Sequence, residues 1–227
     1  MRIDILTLFP EMFAPLQASI LERAQKTQKL SINIINIRDF SKDKHKKCDD
    51  YTFGGGPGML MMPQPIYDAI TSIEGYKQAR KIYLSPKGEV FSQKKAKFFA
   101  SNFEHLIFLC GHYEGVDQRI LDMLIDEEVS IGDYVLTGGE LPAMVVIDAI
   151  SRNIDGVLHC GDSAEIESFS DNLLEYPQYT KPRNFMGIEV PEVLLSGDHK
   201  KIDMWRREQS EMLTKIRRPD LLKKDEQ

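Results

Sequence analysis

Two glycine-containing motifs near the middle of the sequence have the residue types and spacing of a ligand site. The first is Cys110-Gly-His-Tyr-Glu-Gly-Val-Asp117, and the second is Ser130-Ile-Gly-Asp-Tyr-Val-Leu-Thr-Gly-Gly-Glu-Leu-Pro142. Each motif follows an apolar, strand-like segment, and α/β proteins build ligand sites at the carboxyl ends of their strands. Because glycine lets the backbone approach a bound molecule closely, these loops predict a ligand held largely by main-chain groups, as adenine and ribose often are.

The position of the glycines argues against a dinucleotide-binding oxidoreductase. Such a domain has a glycine-rich turn directly after its first strand, where this chain has Phe9-Pro-Glu-Met12. The loop Gly54-Gly-Gly-Pro-Gly58 is a weaker signal, because glycine and proline mark loops of every kind.

The cysteines do not predict a metal site. Cys48, Cys110 and Cys160 form no CxxC pair, and their odd number does not suggest a disulfide framework. Cys110 with His112, and His159 with Cys160, could each supply two ligands, but a zinc site would need both pairs to converge. Core or bystander cysteines are the favoured interpretation.

Charge alone does not predict nucleic-acid binding. The 227 residues carry a net charge of −6, which argues against binding through a bulk positive field. The distribution is uneven, since Lys42–Lys47 is a basic cluster and His199–Arg218 contains only three acidic residues. The basic residues of the second region are Lys200, Lys201, Arg206, Arg207, Lys215, Arg217 and Arg218. On charge alone, a solvated helix face and a charged loop are the favoured interpretation of the two clusters.

Length and hydropathy predict a soluble, cytoplasmic protein with one substantial core and a small second unit. The longest apolar runs, Leu106–Cys110 and Val145–Ile147, are far too short to span a bilayer. Asp4 stands where a signal peptide would need apolar residues.

The first two thirds of the chain alternates strand-like and helix-like segments, which predicts a mostly parallel sheet with helices on its faces. The predicted strands are Arg2–Phe9, Leu30–Ile37, Lys81–Ser85 and His105–Cys110. The predicted helices are Glu11–Lys26, Pro65–Ile73, Ser92–Asn102, Gly115–Leu124 and Glu140–Ile150, the last with Thr137 in its cap region.

The composition changes from Asp155 to Pro177, where small, acidic and polar residues without periodicity predict a linker. A small helical unit follows it. Its clearest helix has an apolar stripe and ends before Pro219. The stripe consists of Ile202, Trp205, Gln209, Met212 and Ile216.

The two central motifs, together with Tyr179-Thr-Lys-Pro182, resemble those of the bacterial tRNA (guanine-N1)-methyltransferases of the TrmD type. Further segments fit the same family in the same order, so the resemblance covers nearly the whole chain. They are Arg2-Ile-Asp-Ile-Leu-Thr-Leu-Phe-Pro-Glu-Met-Phe13, Tyr51–Met59, Leu194-Leu-Ser-Gly197, Trp205 and Arg217-Arg-Pro219.

The resemblance implies a SPOUT fold, an α/β fold whose parallel sheet is threaded into a deep trefoil knot, with a small C-terminal helical domain. General topology rules would not predict a knot. It also implies a cofactor-binding domain over residues 1–157, a flexible linker over 158–178 and a helical tRNA-binding domain over 179–227. Members of the family are homodimers that methylate N1 of guanine 37 in tRNA with S-adenosylmethionine.

The resemblance places S-adenosylmethionine in the knot, against residues of both central motifs and of the strand before them. Core packing is an alternative role for Ile131, Val135 and Leu136, and the two roles are compatible in a knot loop. The implied cofactor residues are Tyr83, Leu84, Pro86, Gly111, Glu114, Ile131, Gly132, Asp133, Tyr134, Val135, Leu136, Gly138, Gly139 and Pro142.

The chemistry of methyl transfer to guanine N1 indicates which other groups are needed. N1 carries a proton, so a base near N1 and a donor or cation near O6 assist the attack. Arg152 occupies the position of the family's arginine and is expected to stabilise O6. Glu167 stands before Ser168-Phe169, where the family has an aspartate, and is expected to be the base; Asp171 is the alternative.

Two other functions are compatible with these motifs. One is a SPOUT methyltransferase that acts on a different RNA position, and the other is a non-catalytic RNA-binding relative. Binding of S-adenosylmethionine distinguishes the second from an enzyme. The sequence predicts neither a membrane nor a DNA partner, and it decides neither whether Mg²⁺ assists the reaction nor which nucleotide must precede the guanine.

Overall fold

The computed structural model describes residues 1–158, 167–169 and 171–222. The chain divides into two compact units, Met1–His159 and Cys160–Gln227. Residues 159–166 and 170 of the predicted linker, which include His159 and Cys160, lie outside the described residues, so a linker with the bounds 158–178 stays a prediction.

The first unit contains a five-stranded parallel sheet, as the alternating sequence pattern predicts. The strands of the unit are β1 (Arg2–Thr7), β2 (Ser31–Asn36), β3 (Asp49–Tyr51), β4 (Met59–Met61), β5 (Arg80–Val90), β6 (His105–Cys110) and β7 (Glu127–Ser130). The order in the sheet is β2-β1-β6-β5-β7, with every neighbouring pair parallel, while β3 and β4 form an antiparallel hairpin. The predicted strand His105–Cys110 has the same bounds as β6.

Helices cover both faces of this sheet. They are α1 (Ser19–Lys26), α2 (Pro63–Thr71), α3 (Gln93–Asn102), α4 (Gln118–Leu124) and α5 (Glu140–Ser151). Successive residues of β6 point to opposite faces, yet Ile107, Phe108 and Leu109 are all buried. Phe108 packs in one apolar cluster with Phe99 of α3, and Ile107 packs in a second cluster. Burial on both faces is what a parallel sheet between helices requires.

Two helix predictions for this unit were wrong in detail. The segment predicted as one helix, Glu11–Lys26, is a 3₁₀ helix over Pro10–Gln17 followed by α1, because the extended backbone of Ala18 separates them. Thr137 does not cap α5. The capping position is Gly139, which has no side chain to donate or accept a hydrogen bond.

The second unit contains the hairpin strands β8 (Asn184–Phe185) and β9 (Ile188–Glu189) and the long helix α6 (His199–Arg217). The predicted apolar stripe of α6 is only partly buried: Ile202 is buried, but Ile216 is 70% exposed. Ser210 and Thr214 are buried instead, and the Thr214 hydroxyl accepts a 2.8 Å hydrogen bond from the Leu174 N–H. A buried backbone N–H requires a hydrogen-bond partner, and the polar side chain of Thr214 provides one on the buried face of α6.

In the part of the chain that the structure describes, no helix has both the length and the apolar character needed to cross a membrane. The trefoil knot stays a prediction.

Candidate active site

The residues predicted to bind the cofactor meet at one cavity in the first unit, at the carboxyl ends of β5, β6 and β7. Asp133 is the exception, since it is exposed in the same loop and is not among the described residues that line the cavity. The predicted residues that line it are Tyr83, Leu84, Pro86, Gly111, Glu114, Ile131, Gly132, Tyr134, Val135, Leu136, Gly138, Gly139 and Pro142.

Backbone hydrogen bonds hold the two central motifs against each other. The Gly139 N–H donates to the Gly111 carbonyl at 2.8 Å, and His112 pairs with Gly138 in a short antiparallel bridge. The loop between β7 and α5 is therefore fixed at its α5 end to the loop after β6. Its other end is turned by Ser130, whose Oγ accepts the Gly132 N–H at 3.2 Å.

Two of the glycines are required by this close approach. A Cβ atom on Gly139 would lie 2.9 Å from both the Cys110 Cα and the Gly111 nitrogen. A Cβ atom on Gly111 would lie 2.7 Å from the Tyr83 hydroxyl. Real Cβ atoms do not come this near to other atoms, so a side chain at Gly139 would displace the loops and one at Gly111 would displace the Tyr83 side chain.

A buried polar cluster lies where the first strand meets α5. The Thr7 hydroxyl donates a 2.8 Å hydrogen bond to Oε1 of Glu140, and Thr7 Oγ accepts the Phe9 N–H at 2.9 Å. Glu140 Oε2 and His112 Nδ1 are buried without a hydrogen-bond partner among the described residues. Burial, with the nearby Glu140 charge as a smaller cause, raises the pKa of the Cys110 thiol well above its usual value.

Tyr83 carries a neutral hydroxyl at the cavity. Burial, followed by the charges of Glu128 and Cys110, raises the pKa of Tyr83 to about 12. The phenol therefore keeps its proton at neutral pH and remains a hydrogen-bond donor.

Several further residues that were not predicted from the sequence line the same cavity. Many of these residues could have been predicted, because they are sequence neighbours of a predicted residue at the end of a strand. Glu128 had a weaker signal, since a strand was expected before Ser130 but its bounds were not predicted. The missed residues are Ser85, Lys87, His112, Tyr113, Gly115, Val116, Gln118, Leu121, Glu128, Val129, Ser130 and Thr137.

The two candidate bases lie in the second unit, where both line a separate cavity with residues of α6. Asp171 Oδ2 is 3.6 Å from Nη1 of Arg207, and the guanidinium of Arg206 lies 4.9 Å from the ring centre of Tyr176. Glu167 lines the same cavity, so the structure brings both candidate bases to one basic and aromatic surface.

Arg152, the residue expected to stabilise O6, belongs to the first unit. It occupies the capping position at the carboxyl end of α5 and is half-buried. It is not among the described residues that line the first cavity.

Within residues 1–158, 167–169 and 171–222, no three histidine, cysteine or acidic side chains form a group that could hold a metal ion. Cys48 and Cys110 are free and buried. The pair His159 and Cys160 lies outside this part of the chain.

Comparison with known proteins assigns the chain to a family. Residues 1–224 match the family model described as tRNA (guanine-1)-methyltransferase TrmD. A tRNA (guanine-N(1)-)-methyltransferase of Alkaliphilus metalliredigens is 61% identical over 98% of this chain and 92% of its own length. The protein of the same name from Caldanaerobacter subterraneus is 60% identical over 99% and 92%, and that from Staphylococcus aureus is 53% identical over 99% and 91%. The chain therefore belongs to the tRNA (guanine-1)-methyltransferase TrmD family.

Proposed function

We propose that this protein transfers a methyl group from S-adenosylmethionine to N1 of guanine 37 in tRNA. The observation that carries the proposal is the cavity at the ends of β5, β6 and β7, which collects the family's cofactor residues from three separate segments of the chain. The relatives named above are tRNA (guanine-N(1)-)-methyltransferases, which supports the same reaction.

The cavity fits an adenosine-containing cofactor. A Cβ atom on Gly139 would overlap the backbone of Cys110 and Gly111, and Cβ atoms on Gly111 and Gly138 would overlap neighbouring side chains. A ligand there meets backbone N–H and C=O groups rather than side chains, which suits the hydrogen-bonding edges of adenine and ribose. When bound, S-adenosylmethionine supplies an activated methyl group whose departing thioether is neutral and needs no acid.

Two further roles, stabilisation of O6 and removal of the N1 proton, are assigned to side chains in this proposal. Arg152 donates to O6 of the guanine, where negative charge develops as N1 attacks. Glu167 removes the N1 proton, with Asp171 as the alternative base. The cavity that both carboxylates line also contains Arg206, Arg207 and Tyr176, and arginine and aromatic side chains are suited to contact a phosphate or a splayed-out base.

We further infer that tRNA binds along the basic side chains of α6 and that the enzyme is a cytoplasmic homodimer. The basic residues of His199–Arg218 provide a local positive surface on a chain of net charge −6. In the family the active site is completed by both subunits, so activity should require the dimer. A fully active monomer in light scattering would contradict this part of the proposal.

The function is tested by incubating the protein with labelled S-adenosylmethionine and two tRNA transcripts that carry guanine or adenine at position 37. We expect methyl incorporation only into the guanine-37 transcript. Equal incorporation into both transcripts would indicate a methyltransferase that acts at another position. Binding of tRNA without any incorporation would indicate a non-catalytic relative.

A further inference from the structure

Glu128 presents an unpaired carboxylate oxygen in the first cavity. It lies on β7 directly beside Tyr83 of β5, and both side chains line the cavity. Glu128 Oε2 is buried and has no hydrogen-bond partner within the described part of the chain. A buried carboxylate oxygen without a partner is costly, so its presence calls for a functional explanation.

Glu127, the preceding residue of β7, is a carboxylate that is paired with basic side chains of the protein. Glu127 accepts a 2.9 Å hydrogen bond from Arg80 and is paired with Lys95. Burial by itself would raise the pKa of Glu127, but its bonds to Lys95 and Arg80 outweigh burial and lower it. Two adjacent carboxylates thus differ in role: Glu127 is satisfied by the protein, whereas Glu128 is not.

The surroundings of Glu128 indicate which kind of ligand group would pair with its carboxylate. Tyr83 stays neutral at physiological pH because its pKa is about 12, so its phenol cannot balance the charge of Glu128. Lys87 lines the same cavity but is exposed to solvent. A cavity with a buried acid and an exposed base is complementary to the zwitterionic end of an amino acid.

We propose that Glu128 binds the α-ammonium group of the methionine part of the methyl donor. This inference rests on the proposed function. An ammonium group supplies both opposite charge and N–H donors, and in a poorly solvated site it compensates a carboxylate better than the neutral amino group of adenine does. The backbone-rich loops remain available for adenine and ribose.

Isothermal titration calorimetry with two ligands tests the proposal. S-adenosylhomocysteine contains the α-ammonium group, whereas 5′-methylthioadenosine keeps the adenosine and the thioether but lacks the amino-acid end. Glu128→Gln should weaken binding of S-adenosylhomocysteine by roughly 10- to 100-fold and change binding of 5′-methylthioadenosine less than about twofold. Glu127→Gln is the matched control and should leave the affinity for both ligands nearly unchanged.

Thermal unfolding without ligand separates a ligand contact from a structural role. Glu128→Gln should unfold at the same temperature as the parent protein or higher, because it removes an uncompensated buried charge. Glu127→Gln should unfold at a lower temperature, because it weakens two ion pairs.

Three results would overturn the inference. They are equal losses of affinity for the two ligands, no loss for S-adenosylhomocysteine, or a clear loss of stability in Glu128→Gln. If the parent protein binds neither ligand, the proposed cofactor itself is wrong. If the parent protein binds S-adenosylhomocysteine and Glu128→Gln binds it equally well, only the role of Glu128 is wrong.

Discussion

Thr7, the last residue of β1, donates a 2.8 Å hydrogen bond to Glu140, the first residue of α5, and both side chains are buried. The bond joins the first strand of the sheet to the end of the loop that lines the first cavity. Because Thr7 Oγ also accepts the Phe9 N–H, one hydroxyl pairs with both the buried Glu140 carboxylate and a part-buried backbone N–H.

Replacing Thr7 by valine should therefore destabilise the protein. The substitution keeps the shape of the side chain but leaves the Phe9 N–H and the buried Oε1 of Glu140 without this partner, and the loss at the buried carboxylate costs about 1–3 kcal/mol. Urea denaturation should show a lower midpoint with an unchanged slope. Thr7→Ser retains the hydroxyl and serves as the control; equal midpoints for the two variants would show that the hydroxyl is not what matters.

Gly132 and Gly139 should respond differently to alanine. Gly132 has a φ of +144°, and a Cβ atom there would lie 2.7 Å from the exposed ring of Tyr134, which can move aside into the cavity. Gly132→Ala should thus weaken cofactor binding by roughly tenfold while the protein remains folded.

Gly139→Ala places its Cβ atom against the backbone of Cys110 and Gly111, which cannot move aside without breaking the loop. We expect a loss of about 2–3 kcal/mol in unfolding free energy, in addition to weaker cofactor binding. Calorimetry and thermal unfolding of both variants check this contrast. A stable Gly139→Ala protein with unaltered cofactor affinity would contradict the assigned position of the loop.

Glu167→Gln should slow methyl transfer because the amide cannot accept the N1 proton. We expect single-turnover transfer to fall by roughly 10²-fold or more while cofactor affinity stays the same. Glu167→Asp keeps a carboxylate at this position and should retain substantial activity.

Asp171→Asn is the comparison that identifies the base. If Asp171→Asn is inactive and Glu167→Gln is near the parent activity, then Asp171 takes the proton. If both variants remain active, neither carboxylate transfers a proton.

Lys215 and Arg217, both exposed on the last turns of α6, should contribute to tRNA affinity by contacting phosphates. Replacing the two together by alanine should lower the slope of log K against log salt by about one per residue. Filter binding at several salt concentrations measures this slope. Lys26→Ala, which removes an exposed lysine paired with Glu22 in the first unit, is the control and should leave the slope unchanged.

The sequence alone was sufficient for the class of fold and for about half of the residues that line the first cavity. The strand-like segments and the helix patterns between them predict a parallel sheet, because side-chain periodicity is a local property. The glycine motifs at the ends of β6 and β7 indicate a ligand loop, and their resemblance to a family supplied the residues that meet in the cavity. The bounds of the short strand β7 were not predicted, because Glu127 and Glu128 interrupt its apolar pattern.

The tertiary structure decided the relationships between distant residues. Thr7 and Glu140 are 133 positions apart, and no local pattern relates them. The sequence likewise shows Glu127 and Glu128 as two equal carboxylates. Only the positions of Arg80 and Lys95 distinguish the satisfied carboxylate from the one that faces the cavity. The buried face of α6 depended on Leu174, whose N–H needs the Thr214 hydroxyl. Burial and hydrogen-bond partners arise from the packing of segments that are remote in the chain, so they are determined only when the chain has folded.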